Sequence, residues 1–175
     1  SAPWHQHEEI DYNSRMSNVI AGVVRGQLPY LEEHIAQKRA IYERYKAGLA
    51  GLPVQMNPYD AEKSVPNFWL SCMIIDECAV GEGRGKTTPA KILERLADMN
   101  AEGRPIWKPM HMQPVYRGPA FVTAAGKEGD RAFSGKEGAD TSVGADIFAR
   151  GLCLPSDNKM TPDQQDAIIA AIRES

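Results

Sequence analysis

A long stretch with helical periodicity near the start of the chain constrains the fold more than any other feature. Apolar side chains recur every three or four residues from Ile20 to Leu49, the spacing of one helix face. Ser17 precedes them and can cap the helix. Pro29 lies inside the pattern, where a proline removes a backbone donor and clashes with the preceding turn. The sequence therefore predicts a long helix that kinks at Pro29, or two abutting helices, ending near Gly51.

Shorter elements follow and alternate between strands and helices. Three runs have the length and composition of strands: 67–76, 104–109 and 152–155. The first is apolar almost throughout, which predicts that both of its faces are covered. Segment 54–66 predicts a loop or a short edge strand. Three stretches predict helices: 89–100, 144–150 and the residues that follow the Thr161 cap. Together they predict an α/β fold, with helices packed on a small, mostly antiparallel sheet.

Composition narrows the class of partner. The chain has 175 residues and a net charge of -3, and it lacks the clustered Lys and Arg that nucleic acid and anionic membranes select. No run approaches the roughly 20 apolar residues of a membrane span, and the first residues do not resemble a signal peptide. We therefore expect a cytoplasmic chain that binds neither nucleic acid nor membrane.

Three patterns resemble structural or ligand sites, and the residues argue against each. Residues 81–88, GEGRGKTT, are similar to a phosphate-binding loop, but the required first glycine is Val80 and a proline begins the following helix. An exposed turn is the better interpretation. His5 and His7 alternate as metal ligands on a strand do, but no third ligand is identifiable, so no metal is predicted. The cysteines lack metal-ligand spacing and predict reduced thiols.

Three motifs in order resemble one enzyme family. They are DYNSRMSN at 11–18, RPIWKPMHMQPVY at 104–116 and RGLCLPSDNKMT at 150–161. These are similar to the GYNYRMSN, RPxWKPxHxQP and RGLCLPS elements of the DegT/DnrJ/StrS sugar-nucleotide aminotransferases. The resemblance implies an enzyme that uses pyridoxal phosphate to place an amino group from glutamate on a nucleotide-linked keto sugar. Asp11 and Ser14 depart from the family's usual glycine and tyrosine.

The resemblance also implies how the chain is organised. Only about ten residues precede the first motif, so the Schiff-base lysine and the large cofactor domain are expected upstream. The chain is then the carboxy-terminal small domain of a fold-type I aminotransferase, inactive by itself. Residues 1–16 form an interdomain segment facing the cofactor, 17–53 a linking helix and 54–175 the small domain. Within it, 118–143 is rich in Gly and charge, which predicts a mobile surface insertion.

Two residues of the first motif are implied in cofactor binding. Asn13 matches the family asparagine that reaches across a homodimer interface to the phosphate of the partner's cofactor, a task that suits an amide donor. Arg15 stands beside it, and its guanidinium can bind phosphate or pair with a structural carboxylate. Without the resemblance, Asn13 would be interpreted as a turn residue at the start of a helix.

The second motif supplies the expected substrate contacts. His111 matches a histidine that lies near the sugar in the family, although by itself it would be interpreted as a surface histidine. The resemblance places Arg104, Lys108 and Gln113 nearby, and a lysine there can steer a diphosphate. Trp107 is interpreted as a packing residue. The form WKPMHMQP resembles the branch that aminates UDP-linked 4-keto-6-deoxy-N-acetylhexosamines.

A non-enzymatic alternative is a dimerisation or sugar-nucleotide-binding module. Such a module needs a polar outer face on helix 17–49, whereas a truncated enzyme exposes the apolar stripe that met its other domain. The small residues Ala21, Gly22 and Gly26 suit close packing against something else. Their presence favours the truncated enzyme.

Overall fold

The chain folds into helices packed against a small antiparallel sheet. The structure is a computed structural model and describes residues 16–116, 121–122, 128–129 and 142–175. The helices are α1 (Asn18–Gln27), α2 (Leu31–Gly48), α3 (Pro89–Asp98), α4 (Val143–Arg150) and α5 (Pro162–Arg173). The strands are β1 (Val54–Met56), β2 (Ser71–Ile75), β3 (Arg104–Pro105), β4 (Phe121–Val122), β5 (Glu128–Gly129) and β6 (Gly151–Leu154).

The predicted interruption of the long helix is confirmed. The Ser17 hydroxyl accepts the Ile20 amide N–H at 3.3 Å and begins α1. A 3₁₀ turn, Leu28–Tyr30, then separates α1 from α2 at the predicted proline. After α2 the chain turns at Gly51, whose φ of 84° favours glycine. Two abutting helices therefore replace one straight helix.

Four strands form the main sheet, in the order β1-β2-β6-β3, and every neighbouring pair is antiparallel. Helices α2, α3 and α5 supply side chains to the core with β2 and β6. Tyr45 of α2 is 0% exposed, and its hydroxyl donates to the Pro155 carbonyl at 2.8 Å. The Gln165 amide of α5 donates to the Ile41 carbonyl at 2.8 Å. The predicted α/β architecture with an antiparallel sheet is confirmed.

Strand β2 is shorter than its apolar run. The sequence predicts a strand from residue 67, but Phe68 has a φ of 54°, and the Asn67 side chain accepts the Trp69 N–H at 3.1 Å. This local turn delays the strand to Ser71. Burial then alternates along β2, with Cys72 partly exposed. One face of β2 is therefore buried and the other is only partly covered, so the expected cover is complete on one face.

The remaining predicted elements agree with the structure to within a few residues. The Thr161 hydroxyl accepts the Gln164 N–H at 3.2 Å, and the Gln164 side chain accepts the Thr161 N–H at 2.9 Å, completing a capping box for α5. Most of the predicted insertion at 118–143 lies outside the described residues. Its two described pieces, β4 and β5, pair antiparallel, and the division of the chain at residues 16 and 53 stays a prediction.

Candidate functional site

A proline-bounded segment, residues 106–116, carries most of the expected substrate contacts and is called the proline segment below. The predicted strand 104–109 stops at Pro105, because proline cannot donate to a strand ladder and recurs at Pro109. Two 3₁₀ turns follow, Met110–Met112 and Pro114–Tyr116. Backbone bonds close them, including Gln113 N–H to the Met110 carbonyl at 3.0 Å. The segment is thus irregular, as predicted, yet internally hydrogen-bonded.

Gln113 and Lys108 meet within this segment. Gln113 is 3% exposed, and its side-chain amide donates to the Lys108 carbonyl at 3.2 Å. Burial lowers the pKa of the Lys108 ammonium. Gln113 therefore braces the backbone that carries Lys108, a role that the sequence did not predict for it.

His111 lies against the start of α4. Its Nε2 is 3.2 Å from the Ser142 hydroxyl oxygen, which also accepts the Ala145 N–H at 3.1 Å to cap the helix. His111 Nε2 accepts a hydrogen bond from the Ser142 hydroxyl when Nε2 carries no proton, and donates to the hydroxyl oxygen when it does. A side chain on Gly144 would come within 3.3 Å of Pro109 Cγ, so glycine permits this close approach. Ser142 is a residue that sequence reasoning missed.

Arg104 lies outside the proline segment, which carries the other three expected substrate contacts. It lies on the edge strand β3, and its guanidinium pairs with the exposed carboxylate of Glu102. The structure thus places Lys108, His111 and Gln113 in the proline segment, where Gln113 contacts the Lys108 backbone and His111 contacts Ser142. Both Asn13 and Arg15, and also His5 and His7, lie outside the described residues.

Trp107 forms an exposed aromatic pair with Trp69. The ring centroids are 5.8 Å apart and the planes are inclined by 40°. Both side chains remain substantially exposed. Trp107 therefore packs, as predicted, but against a surface residue at the entrance to β2. Trp69 lies 38 positions before Trp107, so the local sequence pattern could not identify it as the partner.

In the third motif, Arg150 and Ser156 form hydrogen bonds that hold the fold together. Arg150 donates through Nε to the Asp146 carboxylate at 2.6 Å and through its terminal nitrogen to the Ile75 carbonyl. The guanidinium lowers the pKa of Asp146. Ser156 accepts the Ser71 N–H at 3.1 Å. These bonds tie α4 and the end of β6 to β2.

Some backbone amides of the glycine-rich turn at 81–88 form hydrogen bonds within the chain. Gly81 N–H donates to the Thr87 carbonyl at 2.8 Å, and Thr87 N–H donates to the Ala79 carbonyl at 2.9 Å. The Thr88 hydroxyl accepts the Lys91 N–H and begins α3. A phosphate-binding loop instead points such amides at its ligand. Within the described ranges, no group of three His, Cys, Asp or Glu side chains could hold a metal ion.

With this geometry established, comparison with known proteins decides the family. Residues 2–173 match the DegT/DnrJ/EryC1/StrS aminotransferase family. The chain belongs to that family. Its family members use pyridoxal phosphate, as the solved PLP-form of a Streptococcus pneumoniae relative illustrates.

Individual relatives agree with this assignment. The chain is 37% identical over 169 residues to EpsN of Bacillus subtilis (strain 168), a candidate pyridoxal phosphate-dependent aminotransferase, and covers 96% of itself and 38% of EpsN. The structure of DesI, determined in the presence of its TDP-sugar product, matches with a TM-score of 0.67 and 22% identity. That match covers 91% of this chain and 35% of DesI. The chain thus spans little more than a third of each.

A third comparison is the candidate sugar aminotransferase Spr1654 from Streptococcus pneumoniae in its PLP-form. It matches with a TM-score of 0.66 and 19% identity, over 91% of this chain and 35% of Spr1654. At these identities the two structural matches establish the fold. The helices and antiparallel sheet described above are therefore the fold of one part of a pyridoxal phosphate aminotransferase.

The family cofactor can be tested against the residues of this chain. A phosphate group needs amide and guanidinium donors, and Asn13 and Arg15 offer them in sequence but lie outside the described residues. The described residues begin at Met16 and continue into α1, which has no buried residue among them. Separately, none of the described helices is long and apolar enough to cross a membrane.

Proposed function

We propose that this chain is the carboxy-terminal part of an enzyme that transfers an amino group from glutamate to a nucleotide-linked keto-deoxysugar. The product would enter surface glycan or exopolysaccharide synthesis. The form of the second motif, WKPMHMQP at 107–114, favours a UDP-linked 4-keto-6-deoxy-N-acetylhexosamine as the sugar. The enzyme is proposed to be cytoplasmic and homodimeric.

The observation that carries this proposal is the family match over residues 2–173 in a chain that spans 38% of EpsN. Helix α1 supports it independently. Apolar side chains of α1, including Val19 and Val23, are exposed and lack cover among the described residues. An apolar stripe of this kind marks an interaction surface. The remainder of the enzyme would supply the Schiff-base lysine, so this chain by itself is proposed to be inactive.

Within the whole enzyme, the chain's residues would bind and orient. Asn13 and Arg15 would hold the phosphate of the cofactor in the partner subunit. When bound, that cofactor supplies the chemistry of amino transfer. The proposed function needs the two residues to reach across a dimer interface, which the exposed face of α1 leaves room to form.

The proline segment would form part of the sugar-binding wall. Lys108 would attract the diphosphate, and its partial burial strengthens the attraction because less water screens the charge. His111, held by Ser142, would face the sugar. Gln113 would keep the Lys108 backbone in place. Arg104 is the fourth proposed contact and would have to exchange Glu102 for the substrate.

The test is expression of the intact reading frame that contains this chain, followed by visible absorbance spectroscopy with added pyridoxal phosphate. A cofactor band that bleaches on addition of glutamate is the expected result. The 175-residue chain expressed alone serves as the control and should show neither band nor bleaching. If the full protein stays colourless with added cofactor, the enzyme proposal fails and the dimerisation or sugar-nucleotide-binding module takes its place.

A further inference from the structure

Two of the three cysteines face each other at the centre of the main sheet. Cys72 on β2 is directly opposite Cys153 on β6 in the antiparallel register, and the two sulfur atoms are 3.5 Å apart. Cys78 lies outside the strands and is exposed. All three are free thiols. The sheet therefore contains a closely apposed dithiol, and Cys78 outside the strands serves as a reference thiol.

The backbone hydrogen bonds of Cys72 show how this residue is paired with Cys153 across the two strands. Its N–H donates to the Asn57 side chain at 3.0 Å, and its carbonyl accepts the Asn57 N–H at 2.9 Å. Both groups point to the β1 side of β2, away from Cys153. The two cysteines therefore occupy a non-hydrogen-bonded pair, in which Cα atoms are about 4.5 Å apart and side chains approach closely. Disulfides span Cα separations of about 4.4–6.8 Å, so the bond can close without strand movement.

The two thiols differ in access and in acidity. Cys153 is 5% exposed, whereas Cys72 is partly exposed and is the sulfur that a reagent reaches first. The hydrogen bond from Cys153 lowers the pKa of Cys72, and the same contact is the main reason that the pKa of Cys153 is raised. A thiolate is the reacting form. Cys72 is thus the attacking sulfur. Once the Cys72 thiolate has reacted, the largest cause of the raised pKa of Cys153 is removed, and burial still raises that pKa.

We propose that Cys72 and Cys153 are a reversible redox site that a small disulfide, such as oxidised glutathione, converts to a cross-strand disulfide. The Cys72 thiolate attacks one sulfur of oxidised glutathione, forming a mixed disulfide and releasing one glutathione thiolate. The Cys153 thiolate then attacks the Cys72 sulfur and releases the second glutathione. The cysteines lose two electrons, oxidised glutathione gains them, and the two cysteine protons end on the released glutathiones.

A disulfide between Cys72 and Cys153 would affect the stability of the fold. The disulfide would join the two central strands and close a loop between residues 81 positions apart. Closing a long loop removes freedom from the unfolded chain, so the oxidised form should unfold at higher temperature. Cys153 also lies opposite Arg104 on β3, the strand that leads into the proline segment. Dithiols of this kind in reducing compartments act as transient sensors and not as permanent crosslinks.

The test treats the full chain with oxidised glutathione, alkylates the remaining thiols after denaturation, and analyses the peptides by mass spectrometry. The expected product is a linked pair of peptides containing Cys72 and Cys153, lighter than the sum of the two reduced peptides by two hydrogens and separated by dithiothreitol. Melting should occur several degrees higher in the oxidised protein than in the reduced one.

Matched variants make the result specific. Cys78→Ser should keep both the linked peptides and the rise in melting temperature, whereas Cys72→Ser and Cys153→Ser should lose both. Recovery of Cys72 and Cys153 as alkylated thiols overturns the proposal. So does a stable mixed disulfide of glutathione on Cys72 with Cys153 still reduced. The wild-type and Cys78→Ser proteins decide the question even if a Cys153 variant folds poorly.

Discussion

Helices α1 and α2 come from one continuous apolar pattern, yet they have opposite surroundings. In α1 no residue is buried, and Val19 is 76% exposed. In the second half of α2, Ile41 and Tyr45 lie in the core against α5 and the sheet. The break between them is the turn at Pro29. Periodicity therefore shows that a helix face is apolar, but it does not show what covers the face.

The two helices differ in what stabilises them. Burial against the sheet stabilises α2, whereas α1 is a ten-residue helix without buried side chains in the described part of the chain. Isolated helices of that length are marginal in water. Helix α1 should therefore fray readily until a partner covers it, and under the proposed function that partner is the remainder of the dimeric enzyme. Four experiments test this difference between α1 and α2.

The largest expected effect is that of Tyr45→Ala in α2. Removal of this fully buried ring leaves a cavity and an unpaired Pro155 carbonyl. The free energy of unfolding should fall by about 3–5 kcal/mol in urea titrations. The matched change Val24→Ala on exposed α1 should alter it by no more than about 0.5 kcal/mol. Similar losses of unfolding free energy in both variants would contradict the difference between buried α2 and exposed α1.

The second effect is an alkaline pH dependence to which Tyr45 of the buried helix contributes. Burial raises the pKa of Tyr45 above its ordinary 10.0. Below about pH 10 both folded and unfolded states are neutral, so the stabilisation is complete there. As pH rises further, the unfolded state ionises first and stability falls, by about 1.4 kcal/mol per pH unit for one such group.

Tyr45→Phe should make this alkaline loss shallower by one proton, measured by urea titration from about pH 9 to 11. Tyr42, whose pKa burial also raises, should retain part of the slope. An unchanged slope in the phenylalanine variant would show that the Tyr45 hydroxyl does not stay protonated in the folded state.

A third comparison uses two helix caps of the same chemistry. Thr161→Ala removes the capping box of α5, a core helix, and should cost about 1 kcal/mol of global stability. Ser17→Ala removes the cap of α1 and should leave global unfolding unchanged while its amides exchange faster with solvent. Urea titration and hydrogen exchange measure the two effects. A global loss on Ser17→Ala would mean that α1 folds together with the core.

The smallest stability effect is expected from charge on α1. The double change Val19→Lys and Val23→Lys should alter the free energy of unfolding by no more than about 0.5 kcal/mol, because both side chains already face solvent. It should instead reduce binding of an apolar fluorescent dye and any concentration-dependent association seen in sedimentation. If the double lysine variant unfolds, other residues of this chain must cover Val19 and Val23.

The candidate site was only partly predictable from the sequence, because some of its contacts join residues that are far apart along the chain. Lys108, His111 and Gln113 lie within six positions of one another, and the prolines that hold their turn are visible in the sequence. Ser142 could not be assigned, because it meets His111 from 31 positions away and lies at the edge of the predicted insertion. The pairing of Trp69 with Trp107 also depends on how two distant segments leave the sheet.

Features that depend on neighbours along the chain follow from the residues alone. The caps at Ser17, Thr88 and Thr161 and the break at Pro29 each involve atoms within three or four residues, so local chemistry specifies them. The three motifs likewise identified the family, which the match over 2–173 confirmed.

Tertiary structure alone decided which apolar faces are covered and which distant residues meet. The opposition of Cys72 and Cys153 follows from strand register, and a shift of one residue would turn every side chain of a strand to the other face. The exposure of α1 and the burial of α2 follow from where the sheet and α5 lie. Such outcomes depend on the summed packing of many distant contacts, which no local pattern of residues contains.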